Sequence, residues 1–328
     1  MTVLNGIEID AIDYNINYTK QSISNNEPID NVLHVVGVIS NPALFATRYI
    51  LAKQFIRRLE EDCNISLYIV ELAYGNQPYY ITNPSNPKHL QIRTEIPLWH
   101  KENMVNIGIK KLLPANWKAV AWVDMDIEFE STTWALDTLK LLNGYKDIVQ
   151  IFSHCIDMDK DESAIQVFNS FGYQYDKKQS YCKNSNNFWH PGYGWAMTRK
   201  AYEKIGGLYE YAILGSGDNI MSLSIIGRGL NGVNIESTEE YKETIRTYES
   251  KMKLLRLGYV PGVIRHYYHG KKKNRMYGER WRILVEHLYE PIQHVTHDSN
   301  GILIPTQSCP PEIVTKILEY FYARNEDE

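Results

Sequence analysis

An α/β fold is what this sequence predicts, and three observations carry the prediction. Apolar runs of strand length alternate with segments of helical period across residues 32–150. One run, VAWVDMDIEFE at 120–130, ends abruptly in Asp124-Met125-Asp126, which puts carboxylates at the carboxyl edge of a sheet, where open α/β folds bind ligands. The chain, 328 residues long, suffices for one large α/β domain or two modest ones without staples.

Composition narrows the class. Hydrophobic residues make up 44% and charged residues 23%, ordinary globular usage, and a net charge of −4 argues against a surface that coats polyanions. Cys63, Cys155, Cys182 and Cys309 form no Cys-x-x-Cys pair, so neither a zinc knuckle nor a redox motif is indicated and a reducing compartment is expected. The first twenty residues lack a basic stretch followed by an apolar core, and no run approaches the ~18 apolar residues of a membrane span. A cytoplasmic protein is the expectation.

Residues 1–31 are rich in Asn, Asp, Ser and Ile without a period, and read as an arm. LHVVGVIS at 33–40 reads as a buried strand, broken by Asn41-Pro42, with Leu44, Leu51, Phe55 and Leu59 on one face of the helix that follows. Arg48 lies off that stripe, within reach of the strand end. SLYIVELAY at 66–74 is the second strand; after a Pro/Asn/Tyr-rich loop, Val105, Ile109, Leu112 and Leu113 give LWHKENMVNIGIKKLLP a helical face that Pro114 ends. Strand, helix, strand, loop, helix, strand is the order of a nucleotide-binding half, 32–150.

A helix is expected from about Thr132, then a strand, IVQIFS, at 148–153. Asp157, Asp159 and Asp161 imitate the opening of a calcium loop, but Glu162 replaces the turn glycine and Phe168 the closing glutamate, so a solvated loop is expected. Residues 170–195 read as a polar, aromatic loop ending in FWHPGYGWAMT. There Trp189, Tyr193 and Trp195 suit either a sugar face or a core, and Gly192 and Gly194 permit close backbone approach to a ligand. A short helix is expected at 200–205. The segment 231–257 reads as a helical hairpin or surface elaboration, Trp281, Leu284, Val285 and Leu288 share a helical face, and Ile313, Ile317 and Phe321 line a last helix with an acidic tip.

The chemistry gathers at three places. In a strand, residues two apart project to one side, so Asp124 and Asp126 are expected to converge on one hard divalent ion, Mg²⁺ or Mn²⁺. The Gly-Ser-Gly turn at 215–217 sets Asp218 at a helix start, as a cap or as a carboxylate facing a pocket; a cap needs no glycine-rich lead-in, which favours the second. His266 and His269 end another apparent strand and are followed by Lys271, Lys272, Lys273, Arg275, Arg280 and Arg282, a run fit to neutralise phosphate, to sit in solvent, or to touch nucleic acid.

DMD at a strand end, HKENMVNIGIKKL, HPGYGWAMTRKAYEKIGGLYE, GSGD and VIRHYYHGKKKNR stand in the order seen in GT-A glycosyltransferases. Over roughly residues 32–290 the chain resembles the β-1,4-galactosyltransferase and polypeptide N-acetylgalactosaminyltransferase branch, and phage and viral GT-A proteins with the same HPG and HxxHG blocks. The resemblance implies a single Rossmann-like nucleotide-binding sheet with acceptor-side elaborations: a catalytic domain at 32–290, its acceptor and metal half at 151–290, and a C-terminal helix and tail at 291–328. It implies Asp126 and His266 as metal ligands, Asp124 toward ribose or metal, and Asp218 as catalytic base. His269 replaces a methionine ligand for which this chain has Val263. Arg48, Lys101 and Gly192 fall to the donor by the same resemblance, and Lys271, Lys273 and Arg275 fall to it as part of the basic run fit to neutralise its phosphates.

The expected activity is therefore transfer of a hexose from a nucleotide-diphosphate sugar, UDP-linked by the same resemblance, to an acceptor hydroxyl, with Mn²⁺ or Mg²⁺ and with inversion. The acceptor would be a glycan, a protein or a modified DNA base, in a bacterial or virus-infected cell. Two alternatives stand beside it: a non-catalytic glycan-binding protein on the same scaffold, which the retained acids and histidine oppose, and a sugar-phosphate nucleotidyltransferase, for which ISNPALF lacks the glycine-rich loop. An aspartyl phosphatase fits poorly, since Ile127-Glu128 follow Asp126.

Overall fold

A computed structural model of the chain describes residues 31–143, 145–177 and 189–328, with 2–4, 7–9 and 17 of the N-terminal arm. Thr2–Leu4 pairs antiparallel with Ile7–Ile9. The nucleotide-binding half runs β1 (Leu33–Ser40), α1 (Ala46–Glu60), β2 (Ile65–Tyr74), β3 (His89–Thr94), α2 (Lys101–Leu112) and β4 (Ala119–Val123). β1 lies between β2 and β4, β3 lies outside β2, and all four are parallel. Strands covered on both faces read as continuous apolar runs, and Val35 and Val36 are accordingly both buried on opposite sides of β1.

The later strands are β5 (Ile127–Phe129), β6 (Ile148–Gln150), β7 (His154–Met158), β8 (Ala164–Ser170), β9 (Trp189–His190), β10 (Gly194–Thr198), β11 (Leu257–Tyr259) and β12 (Val263–His266). Seven strands form the main sheet in the order β3-β2-β1-β4-β10-β6-β11, with β10 antiparallel to both neighbours. A smaller sheet has the order β9-β8-β7-β12-β5. The expected α/β architecture, one Rossmann-like sheet with elaborations, is the one adopted. No helix among the described residues is long and apolar enough to cross a membrane.

Several local expectations need correction. The first helix begins at Ala46, so Leu44 is not on its face; it sits exposed at φ 58° in a turn that Asn41 closes by bonding both the N–H and the carbonyl of Phe45. The strand expected at 148–153 stops at Gln150. In the segment 231–257, a helix at Glu239–Met252 drives Tyr241, Ile245, Tyr248 and Met252 into the main core, so this is not surface elaboration. The loop expected at 170–195 contains a helix, Phe171–Asp176, and β9; its residues 178–188, Cys182 among them, lie outside the described residues.

Candidate functional site

The site forms where the chain passes from one sheet to the other. β4 ends at Val123, Asp124-Met125-Asp126 makes a turn, and Ile127 enters the smaller sheet. There β5 runs antiparallel to β12 with Ile127 opposite His266, and the Tyr267 N–H donates to the Asp126 carbonyl at 2.8 Å. This register brings Asp126 beside His266, and His269 follows one short turn later. Asp126 Oδ2 is 3.0 Å from His269 Nε2 and 3.8 Å from His266 Nε2, and the two Nε2 atoms are 3.3 Å apart.

Three donor atoms aimed at one another fit a cation better than they fit one another. Asp126 Oδ1 is buried without a hydrogen-bond partner, the kind of orphan a bound ion explains. Burial alone would raise the Asp126 carboxyl, but His269 and then His266 outweigh it and hold the group well below the usual carboxylate range. Among the described residues, Asp126, His266 and His269 are the group of histidine and acid side chains close enough to hold a metal ion. Two imidazoles and one carboxylate suit Mn²⁺ better than Mg²⁺, which prefers oxygen alone.

Asp124 does not join them. With the strand finished at Val123, alternation no longer fixes where the two acids point, and Asp124 pairs with Lys101 at 2.5 Å. Lys101 opens α2, where burial lowers its ammonium less than Asp124 and Asp218 raise it, so its charge is secure. Asp218 lies one residue inside the helix Gly217–Ile225; its Oδ1 accepts from the N–H of Asn219, while Oδ2 faces Gly192. A Cβ on Gly192 would stand 2.5 Å from that oxygen, which gives Gly192 a steric reason to be glycine. His190 is half-buried, desolvation pushes its imidazole down to about 4, and its Nδ1 accepts the Gly192 N–H at 3.0 Å, so its proton sits on Nε2. Tyr193, at φ 72°, and Ser216, at φ 77°, are strained non-glycine positions on either side of this wall.

Both groups line one cavity of about 500 Å³: Asp126, His266 and His269, and Lys101, Asp124 and Asp218. Of the expected donor residues, Arg48 and Arg275 line it as well. Arg275 donates to His269 Nε2 at 2.9 Å. Lys271 is exposed and paired with Glu328, and Lys273 is exposed; neither lines the cavity. Of the three aromatics, Tyr193 lines it, Trp195 is core with its indole N–H on the Pro191 carbonyl, and Trp189 packs edge-on to Phe171. Trp99, Tyr277, Trp281 and Phe321, unmarked in the sequence reading, supply further aromatic wall.

The acidic tail also reaches this place. Glu326 is buried between Arg48 and Arg324, with its carboxylate 3.5 Å from His269 Nδ1, and Asp327 accepts the first helical N–H groups of α1, from Ala46 and Thr47, at 2.9 and 2.8 Å. Gly270 admits it: at φ 83°, a Cβ there would meet the tail backbone at 2.9 Å.

Sequence reasoning missed two further residues. Asp157 was expected in a solvated loop with Asp159, Asp161 and Glu162. Asp161 and Glu162 are exposed and Asp159 is half-buried, but Asp157 is 2% exposed and its Oδ1 accepts the His266 Nδ1 proton at 2.6 Å. Gln150 braces the HPGYG loop by donating to the carbonyls of His190 and Gly192, both at 3.0 Å. Neither has a local motif; only strand pairing across more than forty positions reveals them.

No protein-family model matches the sequence, and no curated protein matches it. Solved structures do align with it. The catalytic domain of Drosophila β1,4-galactosyltransferase 7, in complex with xylobiose, is 8% identical at a TM-score of 0.41, covering 88% of this chain and 98% of that one. Residues 1–349 of TarS from S. aureus are 10% identical at a TM-score of 0.37, covering 88% and 70%. A 4-diphosphocytidyl-2C-methyl-D-erythritol synthase from Anaerococcus prevotii is 10% identical at 0.35, covering 76% and 96%. The functional reading rests on this chain's own side chains.

Proposed function

We propose that the protein is a metal-dependent glycosyltransferase that moves a hexose from a nucleotide-diphosphate sugar, UDP-linked, to an acceptor hydroxyl with inversion. The observation that supports this is the presence, in one cavity at the carboxyl edge of the main sheet, of a side-chain group able to hold a metal ion and of a separate carboxylate. Asp126, His266 and His269 would hold Mn²⁺, which when bound supplies positive charge beside the diphosphate leaving group. Asp218 accepts the acceptor's hydroxyl proton as the oxygen attacks the anomeric carbon and the carbon–phosphate oxygen bond breaks. Its carboxylate is held by the Asn219 N–H and walled by Gly192. Lys101 and Asp124 form a fixed ion pair beside it that orients the donor, and Arg275 adds charge near the phosphates.

The test is a panel of nucleotide-diphosphate sugars incubated with the full chain and Mn²⁺, with and without chelator, read as released nucleoside diphosphate by mass spectrometry. Metal-dependent release supports the reading. Pyrophosphate release from nucleoside triphosphate and sugar phosphate would replace it with nucleotidyl transfer, and binding without turnover of any donor would leave a glycan-binding protein.

A further inference from the structure

We propose that Asp157 is a positioning residue of the metal centre, fixing the tautomer and the direction of His266; this rests on the transferase reading's assignment of His266 as a ligand. Asp157 and His266 are register partners in the parallel pair β7–β12, so the sheet itself sets them side by side although 109 positions separate them. The imidazole Nδ1–H points at Asp157 Oδ1 at 2.6 Å, and both residues are 2% exposed. Lys272 is ion-paired with the other carboxylate oxygen and lies 4.7 Å over the Phe168 ring, which anchors the acid from behind. On the remaining side the Tyr193 ring stands 4.8 Å from His266.

The consequence is at the opposite ring nitrogen. A neutral imidazole has one N–H, and a carboxylate on Nδ1 keeps it there, leaving the Nε2 lone pair free for a cation. Without that acceptor the proton can move to Nε2, which faces Asp126 Oδ2 at 3.8 Å, and a protonated Nε2 has no lone pair to offer an ion. Asp157 therefore acts through His266 and touches no substrate.

The test uses the full chain and Mn²⁺ alone. Free Mn²⁺ is titrated by its electron paramagnetic resonance signal with wild type, Asp157→Asn and Asp161→Asn, and the His266 tautomer is read from ¹⁵N shifts of the metal-free proteins. Asp157→Asn should bind Mn²⁺ about 10- to 100-fold more weakly and move the His266 proton toward Nε2. Asp161→Asn, the same change at an exposed acid of the same segment, should do neither. Equal Mn²⁺ affinity in wild type and Asp157→Asn, or an equal loss in Asp161→Asn, overturns the proposal and leaves the transferase reading standing. Wild type that takes up no Mn²⁺ overturns both. Should Asp157→Asn fail to fold, the wild-type tautomer decides: a proton on Nε2 of His266 overturns the proposal, and one on Nδ1 supports it.

Discussion

Substituting Gly192 by alanine tests the catalytic geometry with the smallest possible change. The added Cβ would lie 2.5 Å from Asp218 Oδ2 and 3.0 Å from His190 Cε1. A carbon and an oxygen in ordinary contact stand about 0.8 Å further apart than the first distance, so the carboxylate must retreat by roughly that much. It has somewhere to go, because Oδ2 is the far end of a side chain bordering a cavity, and Gly192 itself lacks the positive φ that would strain an alanine. The fold should therefore survive and the base should be misplaced. A displacement approaching 1 Å costs roughly 100-fold in rate, or ~2.7 kcal/mol of barrier. The assay is turnover of the donor that the wild type accepts, alongside thermal melting and Mn²⁺ titration. The expected outcome is kcat down about 100-fold with melting temperature and Mn²⁺ affinity unchanged. Turnover close to wild type would refute the placement of Asp218 as base, since the clash is then accommodated without consequence.

Asp218→Asn should lower kcat by about 10²- to 10⁴-fold while leaving Mn²⁺ binding intact; an active variant, measured with the same donor, would move the base elsewhere. Asp126→Asn should abolish measurable Mn²⁺ uptake by the resonance titration, because it removes the charged oxygen of the ligand group. Gly270→Ala should expel the tail, since a Cβ meets its backbone at 2.9 Å at a φ of 83°; hydrogen exchange of residues 324–328 should rise and stability should fall by about 1–3 kcal/mol. Glu102 is raised to about 8, chiefly by burial with Lys101 opposing, so between its ordinary value of 4.5 and 8 the folded protein keeps a proton that the unfolded chain releases. Wild-type stability should accordingly decline across that window, and Glu102→Gln should gain on wild type by an amount on the order of a few kcal/mol by pH 8. Parallel urea curves for the two proteins from pH 5 to pH 8 would contradict this.

What the sequence made legible follows from the range of the forces involved. The four parallel strands of the nucleotide-binding half declare themselves because each is covered on both faces and must be apolar throughout. His266 and His269 are visible because they follow an apolar strand within three residues of each other. Asp157 and Glu326 are invisible for the opposite reason. One owes its place to a strand pairing with a partner 109 positions away, and the other to a tail that passes over Gly270 to reach two arginines. An acidic run and an acidic tip read as solvated surface wherever their basic partners are far along the chain. Leu44 failed differently, because a helical stripe extends on paper through residues that a side-chain turn at Asn41 has already removed from the helix.

The Asp-x-Asp pair shows how a local rule fails at a functional place. Alternation holds only while a strand continues, and β4 ends one residue before Asp124. The turn that follows changes sheets, so each acid inherits the surroundings of a different structure: Asp124 the start of α2 and Lys101, Asp126 the end of β12 and its histidines. Asp124 paired with Lys101 and Asp126 set beside two histidines also repel each other less than two carboxylates sharing one unneutralised space. The seam thus supplies what neither sheet has alone. The main sheet and its helices bring Asp124, Lys101 and Asp218 to the cavity, the turn before Ile127 and the end of β12 bring Asp126, His266 and His269, and the residues between Val123 and Ile127 join the two sets.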